Sequence, residues 1–194
     1  TSATETLTRR GRSSAVIRFL NRYADALVEA VFYERGVLDK MMGDGMLILF
    51  GAPDPSPDHA LLAVRAALRI AALLPELNEV WPLRDETPLR VGIGIDRGPL
   101  RDGVVGRGRR VEYTVIGDTV NTASRVQNYT KDVLASRIER EGDDGRPCAI
   151  ILITQNTYDR VREHVRVIPE VISVQARGKA EPVSVKLEAW ADAA

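Results

Sequence analysis

The chain has 194 residues, in which 27 Lys+Arg balance 27 Asp+Glu, so no net field draws it to nucleic acid or to an anionic membrane. Its length suffices for one stable core, and a single cysteine, Cys148, excludes an internal disulfide framework. No apolar run approaches the ~20 residues of a spanning helix, and "TSATETLTRRGRSS" lacks the apolar centre of a signal peptide. These features predict one domain over 1–194, cytoplasmic or at the cytoplasmic face of a membrane-tethered longer protein.

From Ser13 and Ser14 onward, Val16, Leu20, Tyr23, Leu27 and Val31 recur every three or four positions and predict one long amphipathic helix, with Gly36 as its cap. "GVLDKMM" and "MLILFGA" read as the arms of a hairpin joined through Gly43-Asp44, and the second, apolar throughout, is expected to be buried. Asp58 suits the N-cap of an Ala-rich helix through Leu61, Val64, Leu68 and Ala71 that is disturbed at Pro75. In "LRVGIGIDRG", Val91, Ile93 and Ile95 alternate with small residues. Gly92 and Gly94 there predict close approach by another chain or a ligand.

"GPLRDGVVGRGRRVEYTVIG" reads as a hairpin with a basic, glycine-rich tip, and a helix opens at "GDTVNTASRVQNY". "AIILIT" is a buried strand, "QNTYDRVREH" a short helix and "PVSVKLEAW" an edge strand. Residues 132–148 include the charged "ASRIEREGDDGRPC", without an apolar face, and read as an exposed insertion. The order predicts an α+β fold around an antiparallel sheet. Its core resembles a ferredoxin-like βαββαβ unit with the opening strand absent and extra strands and a helix at the C-terminal end. The first helix needs a strand to pack on, so the sequence is expected to start inside the domain.

Taken singly, the polar candidates are ambiguous. An acid such as Asp44 on a tight turn is ordinary turn chemistry, Lys40 can be a solvated strand charge, and an i,i+4 pair such as Asn121 and Arg125 can be a solvated helix face. His59 and His164 lack ligand-spaced neighbours, and Asp118 stands at a helix N-terminus, where an acid is favoured anyway. Neither Asp118 nor Asp96 reads as a metal ligand.

In order and spacing, however, "LNRYADALVEAVFYERGVLDKMMGDGMLILFGAP", "DHALLAVRAALRI", "LRVGIGIDRGPL", "GRGRRVEYTVIGDTVNTASR" and "ARGKAEPVSVKLE" resemble the class III adenylate/guanylate cyclase catalytic domain. The resemblance is to bacterial-like, adenylate-type members and spans nearly all of 1–190. It implies that Asp44 is one of two acids that hold Mg2+ or Mn2+, two ions per site. The other acid belongs to an F-x-D-x-x-G-F-T strand whose last residue Thr1 matches, so the first metal aspartate is expected just before this chain. Lys40 and Thr114 match the pair that reads adenine in adenylate-making members, where guanylate-making members usually carry Glu and Cys.

The same resemblance makes Asn121 the residue that orients the ribose and Arg125 the cation that meets charge developing on the phosphate. Lys179, in "RGK", and Arg109, in the hairpin tip, match cations that hold the triphosphate. In the family, acids of one chain face the lysine and the Asn/Arg pair of another, which implies a homodimer whose sites are completed in trans. An upstream sensor, no nucleic-acid partner and no membrane contact by the domain itself are also implied. The leading expectation is an adenylate cyclase domain converting ATP to 3′,5′-cyclic AMP and pyrophosphate by two-metal-assisted attack of the ribose 3′-hydroxyl on the α-phosphate. The alternative is a catalytically silent cyclase-homology domain that binds nucleotide or regulates a partner. The Gly-Gly-Asp/Glu-Glu-Phe turn of diguanylate-type enzymes is absent.

Overall fold

The apolar spacing at the start of the chain folds as expected into helix α1 (Ser13–Tyr33). The structure, a computed structural model, describes residues 13–107, 110–166, 171–173 and 183–189, with side chains described for 14–101, 103 and 115–166. The helix ends in a Schellman arrangement in which Arg35 N–H donates to Phe32 O at 3.0 Å and Gly36 N–H to Val31 O at 2.9 Å. The left-handed residue is Arg35, at φ 60°, not Gly36. Gly36 is required instead by space, because a Cβ there would meet Val31 and Phe50 at 2.6 and 2.7 Å.

A hairpin follows, β1 (Val37–Met42) and β2 (Gly45–Leu49), closed by Gly43-Asp44. Gly43 has φ 67° and Asp44 does not share that sign, the pattern of a II′ turn, which wants glycine first. Helix α2 (His59–Glu79) begins after Asp58, which makes no side-chain cap bond, and runs through Pro75. The disturbance expected at Pro75 does not end the helix, because apolar contact by Leu74 and Leu77, both buried, continues across the proline.

Strand β3 (Arg90–Ile95), the hairpin β4 (Arg101–Arg107) with β5 (Arg110–Ile116), and helix α3 (Asp118–Glu141) come next. Strand β6 (Cys148–Thr154), short helix α4 (Gln155–Val161), β7 (Val171–Ser173) and β8 (Val183–Ala189) complete the described chain. The fold is α+β. The main sheet has the order β3-β6-β8-β7, and β3 and β6 are parallel, so the sheet is mixed rather than purely antiparallel. Strand β8 is not an edge: it lies between β6 and the short β7, whose three residues give too little pattern to read from sequence.

Alternation along β3 and β6 makes three layers. Ile151 and Ile153, with Val91, Ile93 and Ile95, join the core built by α1 and α2, whereas Ile150 and Leu152 join Val126 and Val133 of α3 on the other face. Gly92 and Gly94 also face α3. A Cβ at Gly94 would lie 2.3 Å from Gln127 N and 2.5 Å from Ala123 O, and one at Gly92 would lie 2.0 Å from Thr130 Oγ1. The close neighbour expected at these glycines is therefore the chain's own helix, not another chain or a ligand.

The 132–148 stretch is exposed at most positions, yet residues through Glu141 continue α3. Buried Val133, half-buried Leu134 and an Arg137–Glu141 pair one turn apart sustain that extension. At the other end of the fold, Glu34 is 3% exposed and takes Arg65 at 3.2 Å and Arg69 at 3.1 Å, tying the exit of α1 to α2.

Among the described residues, hairpin β1–β2 and the main sheet are not hydrogen-bonded to each other. Between them lies a cavity of about 1280 Å³ walled by β2, β3 and residues of α1, α2 and α3. Strand β2 is therefore half-buried except at Leu49, rather than buried throughout.

Replacement of Gly94 by Ala is expected to push α3 off the sheet, at a cost of about 1–3 kcal/mol. Thermal unfolding of Gly94→Ala should show a clear drop in Tm, while Gly103→Ala, where a Cβ meets nothing within 4 Å, should not; equal Tm values for the two would contradict this packing.

Candidate functional site

Helix α3 carries two of the residues expected at the site, both exposed. Its inner face is fixed by Val126, Thr130 and Val133. Asn121 and Arg125, one turn apart, both project from the exposed side. The N-terminus of α3 is pinned by Thr119 Oγ1, which donates to Pro99 O at 2.9 Å. Gly98 is needed there, because a Cβ would come within 2.5 Å of that hydroxyl. Asn121 borders the cavity between hairpin and sheet.

Asp44 is exposed at the tip of the β1–β2 turn and borders the same cavity, as does Tyr23 of α1. The Tyr23 hydroxyl is pushed up to about 12, first by burial and second by the negative charge of Asp44. No group of three or more His, Cys, Asp or Glu that could hold a metal occurs among the described residues. An exposed carboxylate suits Mg2+ or Mn2+ taken up with substrate phosphates and water, not a cation caged by protein alone. Asp44 is the expected metal residue that the structure describes; Asp96 borders the same cavity, where its Oδ1 accepts from Thr154 Oγ1.

Lys40 stands in β1, with its side chain 28% exposed and its Nζ 3.4 Å from Asp39 Oδ2. Thr114 lies in β5 with its backbone opposite Gly103; its side chain lies outside the described set. Arg109, Lys179 and Thr1 lie outside the described residues. Asp44 and Asn121 are both among the many residues that border this large cavity, Arg125 lies one helical turn beyond Asn121, and Lys40 is not in the cavity's wall.

The residues read as bland are structural. Arg97 Nε donates to His59 Nε2 at 3.2 Å, and His59 Nδ1 lies 2.6 Å from Ser56 O, which fixes the tautomer with the proton on Nδ1. Asp96 Oδ1 accepts from Thr154 Oγ1 at 2.7 Å, joining the parallel strands at their C-terminal ends. Burial pushes the Cys148 thiol up, which lowers its thiolate fraction. Two features of the site escaped sequence reasoning, Tyr23 and Asp39. Tyr23 was counted only as one apolar position of a helix, and Asp39 gave no signal beyond its place next to Lys40.

Tyr23 yields a pH dependence. Its folded value lies above the ordinary 10.0, so the stabilisation it gives is whole below pH 10 and is lost as pH rises through about 12. In denaturant titrations at about pH 8 and about pH 11.5, Tyr23→Phe should remove about 1–2 kcal/mol of the alkaline loss of stability, discounted because the ring borders an open cavity. An unchanged loss would contradict the assignment.

A family model described as the adenylate and guanylate cyclase catalytic domain matches residues 3–133. An uncharacterized protein of Mycobacterium tuberculosis (strain ATCC 25618 / H37Rv) is 34% identical over 145 residues, covering 71% of this chain and 24% of its own length. An adenylate cyclase of Anabaena cylindrica is 31% identical over 174 residues, covering 88% of this chain and 31% of its own. The crystal structure of the guanylyl cyclase Cya2 superposes with a TM-score of 0.75 at 30% identity, over 95% of this chain and 85% of that one. This chain spans only about a quarter of the mycobacterial relative's length. On this match of sequence and fold, the chain belongs to the adenylate and guanylate cyclase catalytic domain family.

Proposed function

We propose that this domain converts ATP to 3′,5′-cyclic AMP and pyrophosphate at sites shared between two copies. The observation that carries the reading is the pairing of Asn121 and Arg125 on the exposed face of a helix whose other face is locked to the sheet. That is how a protein presents donors to something outside its own fold. A relative named as an adenylate cyclase and a solved guanylyl cyclase are about equally similar, so the choice of base rests on Lys40 and Thr114. A lysine donor suits an acceptor nitrogen on adenine and mismatches the N–H that guanine carries on its pairing edge.

In the reaction the ribose 3′-hydroxyl gives its proton to water or to an oxygen of the substrate's own phosphate, and its oxygen bonds to the α-phosphorus. The bond from that phosphorus to the bridging oxygen breaks, and pyrophosphate leaves. Asn121 holds the ribose so that the 3′-oxygen lies in line with the leaving group. Arg125, with a fixed fork of donors, binds the phosphoryl oxygens as charge builds on them. Lys40 and Thr114 hold the base, while Lys179 and Arg109 hold the β- and γ-phosphates. Asp44 would hold Mg2+ or Mn2+, which when bound neutralises the triphosphate and favours the deprotonated hydroxyl.

Support for a second copy comes from the surface. Phe32, Tyr33, Val37, Met41 and Met42, at the end of α1 and on β1, are all exposed, and Ile116 is 63% exposed at the end of β5. Exposed apolar side chains on these neighbouring elements are the kind of surface that a partner can cover. A homodimer would cover them and complete each site with residues of both chains. The upstream sensor and the cytoplasmic setting belong to the same proposal. No helix among the described residues is long and apolar enough to cross a membrane.

Full-length protein given ATP or GTP with Mn2+ should form cyclic AMP in preference to cyclic GMP, measured by product chromatography. Lys40→Glu should lower kcat/KM for ATP by at least about tenfold. Preferred formation of cyclic GMP would overturn the choice of base, and absence of either product would favour the silent, regulatory alternative. Separately, Arg125→Ala should lower kcat by about 10²–10³ with KM little changed, since its contact strengthens only as charge develops. A rise in KM alone would assign Arg125 to ground-state binding.

A further inference from the structure

The β1–β2 pairing contains an irregularity at the residue before Lys40. Leu38 stands opposite Ile48 and Lys40 opposite Leu47, so two steps along β1 match one step along β2 and Asp39 is the extra residue of a β-bulge. On a regular strand, neighbours point to opposite faces and their charged ends cannot meet. The bulge removes that alternation and re-aims a side chain. Here it lets Asp39 Oδ2 reach to 3.4 Å from Lys40 Nζ.

The pair is unequal. The Asp39 side chain is 3% exposed and that of Lys40 28%. Asp39 Oδ2 is buried with no hydrogen-bond partner, so the lysine contact is a charge contact without hydrogen-bond alignment. A buried carboxylate oxygen lacking donors is costly, and a charge next to it offsets that cost only while it stays close. A flexible ammonium on a four-carbon stem, which carries three donors, is thereby drawn toward one end of its range.

We infer that Asp39 is a positioning residue for base recognition: the bulge turns its buried carboxylate onto Lys40 and fixes the direction in which the ammonium meets the nucleobase. The inference rests on the reading of Lys40 as the base-reading lysine. Asp39 itself touches neither substrate nor metal in this account. Its loss acts through Lys40, on the choice of nucleotide and on KM, rather than on the bond-making step.

The test is a double-mutant cycle in the full-length protein with Asp39→Asn, Lys40→Met and the two combined. The readout is the ratio of kcat/KM for ATP to kcat/KM for GTP, which does not depend on the fraction of protein that folds. Lys40→Met should lower that ratio by about tenfold or more, and Asp39→Asn by about fivefold, mainly through KM for ATP and with kcat within about threefold. The combined variant should match Lys40→Met within about twofold, because Asp39 has nothing left to orient. If Lys40→Met leaves the ratio unchanged, the base reading itself fails and this inference goes with it. If Lys40→Met acts but Asp39→Asn does not, or if the Asp39→Asn effect is as large in the Lys40→Met background, the positioning role is overturned and Asp39 is a structural residue of the bulge.

Discussion

The outward display of Asn121 and Arg125 depends on how closely α3 is pressed onto β3. Gly94 lets the helix backbone come within a distance that any Cβ would forbid, and Gly92 makes room for the Thr130 side chain. Each contact atom adds little attraction, yet a methyl group inserted there would be felt at full repulsive strength, since packed interiors cannot absorb it. The consequence is rotational: with Gln127 and Thr130 against the sheet, Asn121 and Arg125 can only face away from it. Thr119, bonded to Pro99 O, fixes the axial position of the same helix. A pair of side chains on a helix is placed only as exactly as the helix's seat, and here the seat is backbone against backbone at Gly94 and the Thr130 side chain against Gly92.

The opposite half of the proposed chemistry sits on a different kind of support. Asp44 is at the apex of a two-residue turn, where Gly43 supplies the positive φ and the paired strands hold the arms. A turn of two residues has few alternative conformations, so its apex is a rigid place for a carboxylate. The charge of Asp44 is already felt by Tyr23, which records how near the turn lies to α1. Exposed apolar residues flank the arm that carries Lys40. Cations and acid are therefore both displayed at the surface of one chain, an arrangement suited to a site that closes between two.

Much of this was legible in the sequence, for definite reasons. The 3.6-residue and 2-residue periods of α1 and β3 are strong because each packs one face on a large core, and the Gly43-Asp44 turn is marked by its own chemistry. Glycines at alternate positions of β3 announced a close neighbour, but sequence cannot say which neighbour. The structure names α3, a helix some thirty residues downstream. Where reading failed, long-range contact was the cause. Apolar contact carried α2 past Pro75, the Val133 contact with β6 carried α3 into a charged stretch, and β8 became internal because a three-residue strand paired outside it. Asp39 shows the same limit at the scale of a site, since a one-residue bulge leaves no trace in composition or period.

The central claim is that a site needs Asp44 from one copy and Arg125 from another, and mixing inactive variants tests it most directly. Asp44→Ala and Arg125→Ala should each be inactive alone in the full-length protein. In a mixed dimer one site carries both lesions and the other carries neither. Co-expression at equal levels should therefore restore about a quarter of the wild-type cyclase rate, since half of the dimers are mixed and each has one intact site. No recovery, with mixed dimers shown to form by differential tags, would mean that Asp44 and Arg125 serve the same chain's site and that the shared arrangement is wrong.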